Sequence, residues 1–551
     1  MPKLKPKSKK SKKSNTQSEA PALSLKEQLA QKRKAAQERK EFIGVFLATL
    51  FASVFLGILI FPIGGAKVAA AATAGVLCIA LSYKYPRKAL WAFLIYMPFA
   101  GTVTYSIGGG GVTFQLAKDA FYIPALLALI QHCRQKRLPI LIPKQLKATV
   151  GILLAIALVT LLLVNGFQQI SPDRGDDQPI LMGLLGLKVL LGYLPLITCA
   201  YYLIRSKREL VFLTRLHVIL AIVCCVLALI QYYFLATGRC EGTRYLSGEL
   251  LFKASLKARC FVGGSLLYTP EQGLIRLPGT FVAPWQWGWF LISNAFFTFA
   301  TAFNDPSVLF WRPIGLVGMA AVFIMSLVSG QRVALVLVPV VTVLLLVLTG
   351  QVVKVKRFIP IAAGLALILG IGMIMYPDIV QERVQSLIYR WNASPPTDFI
   401  TQQAEFTSKE QAGILGHGLG RATNSARTLG KGALIETYYP KLFYEIGPLG
   451  VLAFLGLVTT LTVITFKSYR SIKDQNLRSF GASFWVFILV ISYNTYYYPL
   501  DVDPVAVYYW FFAGVILKLP ELDRQDIEQE QVEQKVKKRK SRTDRLSSIQ
   551  A

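Results

Sequence analysis

An all-α, polytopic membrane protein is the fold class this sequence predicts, and three observations carry it. Of the 551 residues 54% are hydrophobic, with a mean hydropathy of +0.47, too apolar for a soluble chain of this length. Apolar runs of about 20 residues, the length a helix needs to cross roughly 30 Å of hydrocarbon, recur from Phe42 to Leu519. Lys and Arg crowd into the termini and alternate connecting segments, as the positive-inside pattern requires. The period-2 alternation of a barrel is absent, so backbone groups in lipid must be satisfied within helices.

Taken in order, residues 1–41 form a basic arm rich in Lys, Ser, Gln and Ala, expected to be disordered or surface-bound. Its basic stretch is too long for the n-region of a signal peptide and no small-residue cleavage site follows, so the first span is expected to serve as an uncleaved anchor. Within a transmembrane domain of residues 42–519, spans are expected at about 42–62, 67–83, 88–106, 117–133, 148–165, 179–204, 210–236, 284–303, 311–329, 334–350, 358–376, 441–466, 480–495 and 505–519. Fourteen spans put both termini on one side, expected to be the cytoplasm. Residues 520–551 form a second charged tail.

The charge pattern tests that count. Segments assigned inside carry Lys84, Arg87 and Lys88; Arg134, Lys136, Arg137, Lys144 and Lys147; Arg205, Lys207 and Arg208; Lys354, Lys356 and Arg357; and Lys467, Arg470, Lys473 and Arg478. Segments assigned outside are glycine-rich at 108–111, acidic at Asp173, Asp176, Asp177, Asp501 and Asp503, or long, at 237–283 and 377–440. The net charge of +30 therefore points to anionic lipid at both tails, at about 1 kcal/mol per nearby base, and not to nucleic acid. Cys240 and Cys260 share the first long outer segment, where an oxidising compartment would let them pair. Apolar residues at Ile379, Val380, Val384, Leu387, Ile388 and Trp391 share one helical face, so 377–391 is expected to lie flat on the outer surface.

Basic residues at outer span ends run against this pattern and mark candidate anion ligands. Lys118 stands beside Asp119, Lys188 lies in GLLGLKVLLGYL, Arg276 opens RLPGTF, and Arg332 sits in the tight SLVSGQRVAL connection. A cation near lipid faces a cavity or a partner, or snorkels to headgroups. A second cluster spans Gly413–Gly450: His417 and Arg421 in a glycine-punctuated turn, then Glu436, Tyr438 and Tyr439, then Glu445 at the start of an apolar helix. No metal or other cofactor is expected, because Walker A, H-E-x-x-H and C-x-x-C patterns are missing and His132, His217 and His417 are scattered.

RLPGTFVAPWQWGWFL, SGQRVALVLVP, a long outer segment, GHGLG and the E-x-x-Y-x-x-x-x-x-E-x-G-x-x-G pattern from Glu436 to Gly450 follow one another over the second half of the chain. That order resembles the O-antigen ligase and O-antigen polymerase superfamily of bacterial envelope glycan enzymes. Glu436 stands where ligases of that family usually carry a histidine, in a motif reading H-N-x-Y-L, which leaves polymerase or another glycan transferase open.

The resemblance implies a multi-pass protein of the bacterial inner membrane, active at the periplasmic face. It would move a glycan from undecaprenyl pyrophosphate to a glycan, lipid or protein acceptor without nucleotide or metal. The chemistry needs cations at the pyrophosphate and a base at the acceptor. Arg332 and Arg276, with Lys188, Arg383 or Arg390, are the candidates for the first; Glu436, then His417, for the second; Tyr438, Tyr439, Arg421 and Glu445 for the sugar or acceptor. A transporter of a small anion such as bicarbonate, or a non-catalytic envelope assembly protein, are the alternatives. A transporter should show broken or polar helices near mid-membrane.

Overall fold

The computed structural model describes residues 25–110, 114, 117–140, 143–172, 175–243, 259–264, 267–269, 274–351, 363, 366, 370, 373–375 and 377–549. Contacts divide the chain into two units, Met1–Leu81 and Ser82–Ala551. The first is built on α1 (Leu25–Lys84), whose 60 residues would reach about 90 Å if straight, three times the hydrocarbon thickness. Pro62 withholds a backbone donor, and Gly65 takes φ 71°, a conformation that glycine adopts without strain. A Cβ on Gly57 would run into the Thr73 hydroxyl, so the two arms fold back on each other as a helical hairpin. The expected spans at 42–62 and 67–83 are these arms, and the helix begins at Leu25, inside the expected basic arm. Phe51, Phe55, Ile58 and Ile63 stand exposed along it, a surface suited to lipid.

In the second unit come α2 (Pro86–Tyr96), continued by tighter and wider turns to Ile107, α3 (Asp119–Gln135), α4 (Lys144–Val159), continued to Ile170, α5 (Pro179–Leu191), α6 (Leu196–Leu203) and α7 (Lys207–Ala236). An antiparallel hairpin of β1 (Leu267–Thr269) and β2 (Leu274–Arg276) pairs Leu267 with Arg276. After it come α8 (Pro284–Asn304), α9 (Trp311–Val328), α10 (Arg332–Leu348), α11 (Pro377–Ala393), α12 (Pro396–Lys409), α13 (Tyr438–Arg470), α14 (Gln475–Tyr493) and α15 (Val505–Ile549). Side-chain caps start two of the long helices: Ser206 accepts from Glu209 N–H at 3.3 Å and Asp474 from Leu477 N–H at 2.6 Å.

Among the described residues nine helical stretches are long and apolar enough to cross a membrane, and Arg332–Leu348 is a shorter apolar helix. The protein is therefore all-helical in its main architecture and spans the membrane many times. Three expected spans, at 117–133, 284–303 and 334–350, are helices outside those nine, while 358–376 falls largely outside the described residues. α3 and α10 are short, and α3 is interrupted by Pro124, whereas α8 is long enough but not apolar enough, and it is buried on all sides, including every residue from Trp287 to Asn304. With α7, α9, α10 and α14 packed around it, α8 needs no lipid-facing apolar stripe. Its polar side chains turn back onto their own helix: Ser293 Oγ donates to Trp289 O at 2.8 Å, Asn294 Nδ2 to Phe290 O at 2.9 Å and Thr298 Oγ1 to Asn294 O at 2.7 Å.

The 377–440 segment carries two α-helices and a short 3₁₀ helix, Asn424–Leu429. α11 matches the amphipathic stretch expected at 377–391, and Val384, Ile388 and Trp391 are exposed on it; the side chains of Arg383 and Arg390 lie outside the described residues. The hairpin of β1 and β2 was not legible in the sequence, and the charged C-terminal tail continues as the helix of the last span. Cys240 and Cys260 form the expected disulfide.

Candidate active site

The polar residues collect where the start of α13 meets the 494–504 connection. Thr437 forms an isolated antiparallel bridge with Tyr496, and Tyr438 N–H donates to Thr495 O at 2.7 Å, fixing the approach to α13 against that connection. Glu436 N–H is held by Gln403 Oε1 of α12 at 2.9 Å. From the other direction, Leu277 N–H donates to Ser329 O at 3.1 Å, tying the end of β2, with Arg276, to the turn that opens α10 at Arg332. Arg332 also donates to Ser394 O at 2.7 Å, between α11 and α12.

Arg276 and Arg427 consequently lie within electrostatic reach of Glu436, and Arg332 and Arg276 within reach of Tyr496. Burial pushes the Glu436 carboxyl above its ordinary 4.5, while Arg276 and then Arg427 pull it back. Beside them Tyr497 and Tyr498 take left-handed φ of 55° and 29°, which a bulky side chain holds only when its surroundings over-determine it. Those surroundings are visible: Trp289 Nε1 donates to Tyr497 O at 3.2 Å, Asn424 Nδ2 to Tyr498 Oη at 2.9 Å, and Phe399 packs on both Tyr496 and Tyr497.

Other expected site residues serve as braces. Glu445 is 3% exposed and accepts from Ala422 N–H at 2.8 Å and Thr423 Oγ1 at 2.9 Å, clamping the GHGLG turn onto α13. Arg421 donates to Asp177 at 2.8 Å and, through two nitrogens, to Gln168. Burial raises the Asp177 carboxyl, but the bonds from Arg421 and from Lys431 N–H outweigh it and hold the group below its usual range. The His417 ring stacks on Tyr444 at 4.1 Å, and its Nε2 lies against Glu410 O. Gly416, Gly418 and Gly420 all have left-handed φ, and a Cβ on Gly420 would strike Met182 O of α5. Tyr438 is 2% exposed and Tyr439 Oη donates to Ser492 O, so these two pack α13 in place.

The lysines are paired with carboxylates. Lys188 bonds to Asp119 and Lys118 to Asp503, with Tyr193 Oη 3.4 Å from the same Asp503 oxygen. Lys441, 2% exposed, bonds to Asp501 and lies 3.9 Å from Glu445. The sequence did not single out Lys441, Gln403, Arg427 or Tyr496–Tyr498; the signal for the first was a lysine at the mouth of an apolar run, and for the last a run of three tyrosines before a proline. No family model matches the chain, and no curated protein matches it.

Proposed function

We propose that this protein transfers a glycan from a polyprenyl pyrophosphate, of the undecaprenyl type, to an acceptor hydroxyl at the periplasmic face of the bacterial inner membrane. The observation that supports it is the meeting of the half-buried Glu436 with Arg276 and Arg427, and of Arg276 with Arg332 around Tyr496. The acceptor oxygen attacks the anomeric carbon, its proton passes to Glu436, and the carbon–oxygen bond to pyrophosphate breaks with the electron pair leaving on phosphate. Arg276 and Arg332 neutralise that charge, since guanidinium forks match phosphate oxygens. The Cys240–Cys260 disulfide suits the oxidising side of the membrane.

Arg332→Lys tests the leaving-group role, because a point charge does not reproduce bidentate contact. Transfer from a purified lipid-linked oligosaccharide should fall roughly a hundredfold, about 3 kcal/mol of transition-state stabilisation. Wild-type rates for both Arg332→Lys and Arg332→Ala would remove this residue from the chemistry.

The pH dependence carries a sign. Glu436 accepts a proton only when ionised, so the rate is lost as pH falls through its raised pKa, and the acid limb stands above the ordinary 4.5. Arg276→Gln takes away the larger downward pull and should move that limb to higher pH, read from a rate profile. A limb that stays put or moves down separates Arg276 from Glu436.

A further inference from the structure

At the end of α13 remote from Glu436 lies a cavity of about 880 Å³, the size of a small-molecule site, where the ends of α8, α10 and α13 meet the starts of α9 and α14. Among the described residues four cations line it: Arg312, Arg470, Lys473 and Arg478. The one carboxylate among the described lining residues, Asp474, is engaged elsewhere, accepting from Leu477 N–H at 2.6 Å and standing 3.7 Å from Lys207. The net field in the cavity is therefore positive, and an anion would enter favourably.

Two buried amides in the same lining make this a built site and not only a basic surface. Asn304 is 1% exposed; its Oδ1 accepts from Ser479 Oγ at 2.8 Å, while its Nδ2, which can only donate, has no hydrogen-bond partner among the described residues. Gln351 is 8% exposed, and its Oε1, which can only accept, has none either. Orphaned buried amide atoms are costly, and a ligand that satisfied them would recover that cost. The complement of this lining is an anion with a hydroxyl beside it: charge for the four cations, an oxygen for Asn304 Nδ2 and an O–H for Gln351 Oε1.

We infer that this cavity binds a phosphate ester bearing a free hydroxyl, of the glycerol-phosphate kind, as a lipid headgroup or as a soluble ester. It is separate from the Glu436 site and stands whether or not that site transfers glycans.

The full-length protein in detergent is titrated with dioctanoyl phosphatidylglycerol, dioctanoyl phosphatidylcholine and glycerol 3-phosphate, with binding followed by thermophoresis. Phosphatidylglycerol should bind saturably and at least about tenfold more tightly than phosphatidylcholine, which carries no headgroup donor. The exposed pair Arg470→Gln and Arg478→Gln should weaken it about tenfold or more. So should Asn304→Asp, which keeps the acceptor for Ser479 but sets a carboxylate against the phosphate. Lys144→Gln with Lys467→Gln removes the same charge from exposed positions outside the cavity and should leave binding unchanged. Displacement by glycerol 3-phosphate at matching affinity identifies a soluble ester as the ligand, and its failure to displace identifies the lipid; either upholds the site. Equal weakening by the Lys144 and Lys467 pair, or no saturable binding of either probe to protein that melts normally, overturns it.

Discussion

Glu436→Gln is expected to reduce glycan transfer by about 10²–10⁴-fold, the usual contribution of a positioned base, while the protein reaches the membrane at normal levels. Glutamine keeps the shape of the side chain, and the bond that fixes this position runs from its backbone N–H to Gln403, so the substitution leaves the local fold intact. Only the ability to accept a proton is removed. Cells carrying the variant should accumulate lipid-linked donor, visible by thin-layer chromatography of extracted lipid, with little transferred product. Full transfer by the glutamine variant would show that the acceptor proton goes elsewhere.

Lys441→Met is the second large effect, and it falls on stability. Lys441 is 2% exposed and serves two acids at once, Asp501 by a direct ion pair and Glu445 at 3.9 Å. Methionine fills the space but leaves two carboxylates in a site without their cation, which should cost about 3–5 kcal/mol. Because Asp501 anchors the connection that carries Tyr496–Tyr498, the loss should appear as a markedly lower melting temperature of the detergent-solubilised protein. Adding Asp501→Asn should restore part of it, since one of the stranded charges is then gone. A single variant that melts like the wild type would show that the pair is not needed for the fold.

How much of this was legible beforehand depended on how far apart in sequence the interacting groups lie. Most of the spans were legible because lipid imposes a length and a composition on each helix independently of its neighbours. α8 reads as an ordinary span although its composition of Trp, Asn, Ser and Thr reflects a protein environment, and only the helices around it reveal that. Arg276, Arg332 and Glu436 could be singled out because a charge at a span end expected to face outward is locally anomalous. The partners of Lys118 and Lys188 could not, since Asp503 lies 385 residues from Lys118 and no local pattern announces such a pairing. The same holds for Arg421 and Glu445, whose charge read as chemistry and whose contacts are those of clamps on the GHGLG turn.

The enclosure of α8 also bears on how the chain is assembled during synthesis. A segment of modest hydropathy gains little by partitioning into lipid alone, and its favourable environment exists only once neighbouring helices are there to receive it. α7 precedes it and packs against it, but α9, α10 and α14 are made later. The central helix therefore has its complete packing environment only once α9, α10 and α14 have been made, and the later helices complete the surroundings of one made far earlier.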